Sequence, residues 1–216
     1  VNIDDLTNGS KLPIVFSINC ETGKFINDEC FAEKFLRKPN GGAAGVFAAS
    51  EASWSGWNDA LAMGLFDGIW PGMVFNFTGS HGTGNQPDPH DPIYEMGPLL
   101  NQGLATMVQT WGETEGITQC EYEMYHYFGD PAMKIWTSVP TNITAEINNS
   151  TSGTEILISN CNINDALATL TYNNELIDEV FLSGGSGSLS CNSVPSGTSV
   201  IITISKHNYK PLVSNT

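Results

Sequence analysis

The chain has 216 residues, 40% of them hydrophobic and 14% charged, which suits a folded protein with a sizeable core and not a disordered one. Eight Lys and Arg against 23 Asp and Glu give a net charge of −15, which argues against nucleic acid and anionic membrane surfaces as partners. No run of about 18 apolar residues occurs, so no membrane-spanning helix is expected.

The chain opens at Val1-Asn2-Ile3-Asp4 without Met, a basic stretch or an apolar signal core, and reads as a processed chain or a fragment. A polar lead-in to Ser10 precedes Pro13. Ile14 to Ile18 is a short apolar run, expected as a buried strand. It ends at Asn19-Cys20, with a Thr22-Gly23 turn behind it. Asn27-Asp28-Glu29 then signals a helix from about Cys30 to Arg37. Pro39 to Gly42 is a loop and Ala43 to Ala49 a second buried strand. Strand, helix, strand is a βαβ unit with parallel strands. Cys20 therefore stands where a strand of an α/β sheet stops, the edge that carries chemistry in such sheets. A cysteine there is either inert packing or a nucleophile acting as its thiolate.

Glu51 to Trp57 follows at the same sheet edge, so Trp54 or Trp57 is expected beside Cys20. Asn58 to Trp70 reads as a helix ended by Pro71-Gly72. Asn76 to Pro98, rich in Gly and Pro, reads as a functional loop or flap. Leu99 to Trp111 and Gln119 to Phe128 are expected helices, and Met133 to Thr137 a short strand. Val139-Pro140 marks the domain boundary. Beyond it, Thr144–Ile147, Thr154–Ser159, Ala168–Tyr172, Glu179–Leu182, Ser188–Cys191, Val200–Ser205 and Leu212–Ser214 are expected strands of an antiparallel sandwich, with Asn173-Asn174 a tight hairpin turn.

Asn19-Cys20-Glu-Thr-Gly-Lys-Phe25, Glu29-Cys30-Phe-Ala-Glu-Lys-Phe-Leu-Arg37 and Gly42 to Ser50 resemble the gingipain-type cysteine peptidases, which share a fold with caspases and legumains. The likeness continues through Ser53-Trp54, through Tyr125-His-Tyr-Phe-Gly-Asp-Pro131 and into the C-terminal β region. It implies a caspase-like three-layer α/β domain over residues 1–138, with a mostly parallel sheet whose first strands are missing. An immunoglobulin-like β-sandwich over residues 139–216 follows. It makes Cys20 the catalytic nucleophile and Trp54 a wall of the S1 pocket, with Asn19 and Ser53 flanking the substrate. Trp54 otherwise reads as a cover for the sheet edge. A flat aromatic wall suits the stem of Arg or Lys, and Asp59 and Glu51 are candidate carboxylates for such a pocket.

The base is the gap. In the family a His-Gly pair ends the strand before the Cys, yet no His precedes Cys20. The resemblance therefore puts the base on an N-terminal segment or separate chain of the same precursor, and this chain alone is expected to be inactive. His81-Gly82 repeats the dipeptide after Cys20, in a loop setting; a third reading makes His81 the base. His90 reads as a loop residue or part of a cation site, His126 as packing, and His207 as part of the β region.

No zinc motif and no phosphate loop occur. The resemblance allows structural calcium, for which Asp88 and Asp91, with Asn85 nearby, are the candidates, unless these are solvated acidic loops. Chemistry needs no cofactor. Cys161 and Cys191 are candidates for a bridge, which an oxidising compartment would permit. The sum is a secreted or cell-surface cysteine endopeptidase acting on protein or peptide. The alternative is a matrix or surface protein that keeps the fold and works as a binding module.

Overall fold

A computed structural model describes residues 2–73, 90–114 and 116–216. The chain divides into two compact units, Val1–Ile135 and Trp136–Thr216.

In the first unit, β1 (Ile14–Ser17), β2 (Gly45–Ala49) and β3 (Tyr125–Gly129) form a sheet in the order β1-β2-β3. β1 and β2 are parallel; β3 runs antiparallel to β2. Every residue of β2 is buried. Its alternation splits two cores, as the two-residue period of a strand requires. Val46 and Ala48 join Cys30 and Ala32 on one face, with Val15 and Phe35 packed against them. Phe47 and Ala49 face Leu61, Leu65, Leu99 and Met107 on the other.

The first face is covered by α1 (Phe31–Arg37), which starts one residue later than the sequence suggests. Its start is fixed by Glu33, whose carboxylate accepts the Cys30 N–H at 3.0 Å. The other face is covered by α2 (Ser55–Ile69) and α3 (Met96–Trp111). These two helices approach closely because glycines face each other: a Cβ at Gly64 would lie 2.8 Å from Gly103 Cα and 2.5 Å from Thr106 Oγ1.

α4 (Gly116–Met124) ends sooner than expected, because Tyr125 to Gly129 is β3 and not the end of a helix. The Tyr-His-Tyr-Phe run is rich in β-forming aromatics, and pairing with the buried β2 decides its state. Met133 to Thr137 forms no strand; Lys134 makes only an isolated bridge with Glu95. Most of the expected loop from Asn76 to Pro98 lies outside the described residues; Met96 already begins α3.

The second unit is all β. β7 (Leu167–Tyr172), β8 (Glu175–Phe181), β10 (Ile201–Ser205) and β12 (Leu212–Asn215) form an antiparallel sheet ordered β12-β10-β7-β8. β5 (Glu146–Asn149), β6 (Glu155–Ser159) and β9 (Gly187–Ser190) form a second antiparallel sheet. Ile156, Ile158 and Leu189 from one sheet share a core with Ala168, Leu170, Ile202 and Ile204 from the other. Asn173 and Asn174 both take positive φ, 51° and 65°, the signature of a tight type I′ hairpin. Two-residue strands β4 (Thr141–Asn142) and β11 (Tyr209–Lys210) pair in parallel. Cys161 and Cys191 are free thiols, so the pairing considered for them does not form.

Candidate active site

Cys20 lies three residues beyond the end of β1 and is exposed. The turn that carries it is stitched to the end of β2. Glu21 N–H donates to Glu51 O at 3.0 Å, and Gly23 N–H to Ala49 O at 2.8 Å. Gly23 admits no side chain, since a Cβ there would stand 2.8 Å from the Phe128 ring and 3.0 Å from Ala48 Cβ. Glu21 itself takes φ 57°, a left-handed conformation rare for a residue with a side chain. Such strain next to a reactive group persists only where the surroundings enforce it. Ser17 Oγ bonds Asn19 Oδ1 at 2.8 Å and Thr22 Oγ1 at 3.0 Å, so the Asn19 oxygen is used to hold the turn.

Ser53, from the loop between β2 and α2, meets the sulfur with three groups. Its carbonyl accepts the thiol at 3.4 Å, its N–H donates to Sγ at 3.4 Å, and its hydroxyl stands 3.8 Å away. Asn58, buried in the first turns of α2, donates Nδ2–H to Ser53 Oγ at 2.9 Å. Tyr125 OH in turn donates to Asn58 Oδ1 at 2.5 Å. Burial holds the Tyr125 phenol well above its usual range, with Glu121 and Cys20 among the nearby charges that add to this.

Trp54 is exposed, whereas Trp57 turns inward: it stacks on Trp111 at 4.1 Å and bonds Thr118 Oγ1 at 2.9 Å. Of the two, Trp54 is the one open to a ligand. It walls a cavity of about 430 Å³ with Glu51, Cys120, Glu123 and Met124. The Trp54 N–H donates to Oε1 of Glu121, which is fully buried in α4. Among the described residues its Oε2 has no hydrogen-bond partner. Burial pushes this carboxyl up to about 7, against the pull of the Trp54 N–H.

Asn58, Glu121 and Tyr125 were not singled out in the sequence. Glu121 was findable: Thr118, Glu121, Met124 and Tyr125 recur at helical spacing on the buried side, and an acid in such a stripe needs a reason.

The described histidines are engaged elsewhere. His90 Nε2 lies 3.0 Å from Asp67 Oδ2, and its Nδ1 2.8 Å from Asp91 O. The Asp91 carbonyl and the Asp67 carboxylate both want a proton on the ring, and they raise its pKa. His126, on β3 and not on a helix, packs edge-on against Phe25 and Phe128. His207 belongs to the second unit. His81 and Asp88 lie outside the described residues. Among the described residues, no group of three or more His, Cys, Asp or Glu could hold a metal ion. No described helix is long and apolar enough to cross a membrane.

The model of peptidase family C25 matches residues 1–136. The chain belongs to peptidase family C25. Gingipain R2 of Porphyromonas gingivalis is 24% identical over 223 residues, which cover 96% of this chain and 27% of that protein. Gingipain R1 of the same organism is 21% identical and is covered to 20% of its length. The chain thus spans about a quarter or less of the length of the curated relatives it matches. The crystal structure of the Arg-specific cysteine proteinase gingipain R superposes with a TM-score of 0.75 at 18% identity, over 99% of this chain and 47% of that one. A complex of the pro- and mature domains of RgpB from P. gingivalis gives 0.74 at 20%. The fold is gingipain-like, and C25 membership makes the chain part of a cysteine peptidase family.

Proposed function

We propose that this chain carries the nucleophile of a secreted cysteine endopeptidase, with Cys20 attacking the scissile carbonyl. Residues 1–138 are read as the C-terminal portion of the catalytic domain, and 139–216 as an immunoglobulin-like sandwich. The observation that carries the proposal is an exposed thiol just past β1, on a strained turn tied to the end of β2, in a C25 chain.

In this reading the Cys20 thiolate bonds to the carbonyl carbon, with its own N–H helping to hold the oxyanion. The C–N bond breaks as a histidinium returns its proton to the amine. The neutral histidine then takes a proton from water, the hydroxide displaces sulfur from the thioester, and the thiolate is regenerated. The histidine belongs to a His-Gly pair N-terminal to Cys20 in the complete protein. Trp54 lines the pocket for the residue before the cut, beside Asn19 and Ser53. No step runs through calcium.

A second reading, a catalytically silent binding module, is favoured by one observation. Among the described residues, the hydrogen-bond partners of Sγ all belong to Ser53, and none is a base. Cleavage of a fluorogenic peptide library by the complete protein separates the two. Cleavage abolished by Cys20→Ala upholds the peptidase. Cleavage unchanged in that variant, or none from the complete protein, sinks it.

A further inference from the structure

Two hydrogen-bonded arms converge on Ser53. The first runs through a single peptide group. The Ser53 carbonyl accepts the Cys20 thiol, and the N–H of the same peptide, that of Trp54, donates to Glu121. A negative charge at the N–H end polarises the amide and makes its carbonyl a better acceptor for S–H. The same charge, itself buried, opposes a second negative charge on the sulfur across the peptide.

The second arm orients the Ser53 hydroxyl. Tyr125 OH donates to the oxygen of Asn58, so Asn58 turns its NH2 to Ser53 Oγ, and the Ser53 hydroxyl also lies within hydrogen-bonding reach of the Tyr125 oxygen. The Ser53 hydroxyl, having accepted there, has its own hydrogen to offer the Tyr125 oxygen or the sulfur, 3.8 Å away. Ser53 thus offers Cys20 an acceptor suited to the thiol and two donors suited to the thiolate.

We propose that Ser53 is a positioning residue that sets the thiol–thiolate balance of Cys20, with Glu121 biasing it toward thiol and the Tyr125–Asn58 pair toward thiolate. This rests on Cys20 being the reactive thiol of the site, and it goes beyond that reading by assigning the groups that poise it. Glu121 is suited to the role because it is fully buried, has one oxygen without a partner among the described residues, and has its pKa raised by burial to about 7. Among the described residues, the titratable groups that face it are Tyr125 from β3 and, across the Ser53–Trp54 peptide, Cys20. As a carboxylate Glu121 stores the thiol; as a neutral acid it lets the sulfur ionise.

The test is the rate of Cys20 alkylation by iodoacetamide between pH 5 and 10, read peptide by peptide by mass spectrometry so that Cys120 does not interfere. Glu121→Gln keeps an oxygen for the Trp54 N–H and removes the charge. At pH 8 it is expected to alkylate roughly five-fold faster, with the profile moved to lower pH and its plateau unchanged. Ser53→Ala and Tyr125→Phe are expected to move the profile the other way, slowing the reaction about two- to three-fold at pH 8. If Glu121→Gln folds poorly by near-ultraviolet circular dichroism, the other two decide. Profiles of the folded variants that superimpose on the parent overturn the proposal. Alkylation does not need a histidine or a substrate, so this result stands apart from the peptidase assay. Cleavage unchanged by Cys20→Ala together with shifted profiles would sink the peptidase and keep the role of Ser53, and cleavage abolished together with superimposed profiles would sink the role of Ser53 alone.

Discussion

Glu121 holds the backbone N–H of Trp54 from inside the protein, while the Trp54 ring stands exposed on the other side. One residue thus links a buried carboxyl to the wall of the candidate substrate pocket and, through Ser53, to the Cys20 thiol. The arrangement places the site's precision in its backbone. Moving Glu121 moves the peptide that touches the sulfur.

Glu121 should cost the protein stability above neutral pH. Its folded pKa of about 7 lies above the ordinary value of 4.5, so the folded state binds the proton more tightly. Stability therefore falls as pH rises from about 4.5 to about 7, and stays lowered beyond. A displacement of that size corresponds to about 3 kcal/mol. Glu121→Gln should melt several degrees higher than the parent at pH 8 and equally at pH 4. Calorimetry at the two pH values checks this, and a variant less stable at pH 8 would contradict it.

The opposite sign holds for His90. Asp91 O and the Asp67 carboxylate raise its pKa. Its stabilising contribution is complete below the unfolded value of 6.5 and is lost as pH rises through the folded one. Asp67→Asn should therefore destabilise more at pH 6 than at pH 9. A nuclear magnetic resonance titration of His90 should show a midpoint above 6.5 in the parent. A midpoint at or below that value would remove the basis of the prediction.

How much of this was legible depends on what kind of signal each residue sends. The Cys20 strand, α1 and β2 announce themselves by apolar runs and helix-start residues, and the likeness to gingipains sharpens them. The hairpin at Asn173-Asn174 was readable because few residue types accept two positive φ values. Tyr125 to Gly129 was not, since a five-residue aromatic run suits a helix end as well as a strand, and only its partner β2 decides. Asn58 was read as part of a helix start, and its real use, joining Tyr125 to Ser53, depends on contacts 67 and five residues away in sequence. Such tertiary hydrogen bonds leave no periodic trace.

All five cysteines are free, including Cys161 and Cys191 near strand ends of the second unit. Denatured, unreduced protein should therefore titrate five thiols. Dithiothreitol should leave the melting of residues 136–216 unchanged, because no cross-link restrains their unfolded state. Three thiols and a melting point lowered by reductant would mean that a bridge had formed.

The α2–α3 contact gives the sharpest packing prediction. A methyl at Gly64 would meet Thr106 Cβ at 2.6 Å and the backbone Cα of Gly103 at 2.8 Å. Neither can swing aside, since one is main chain and the other the root of a buried side chain. Alanine normally favours a helix interior over glycine by about 1 kcal/mol. Here the helices must part, and overpacking of that kind costs about 1–3 kcal/mol. Gly64→Ala should therefore lower stability despite its better helix propensity. The control is Gly116→Ala at the start of α4, where a Cβ meets nothing within 4 Å and the change should be neutral or stabilising. Urea unfolding of both variants reads the difference. If Gly64→Ala proved as stable as the control, α2 and α3 would not approach as closely as their glycines allow.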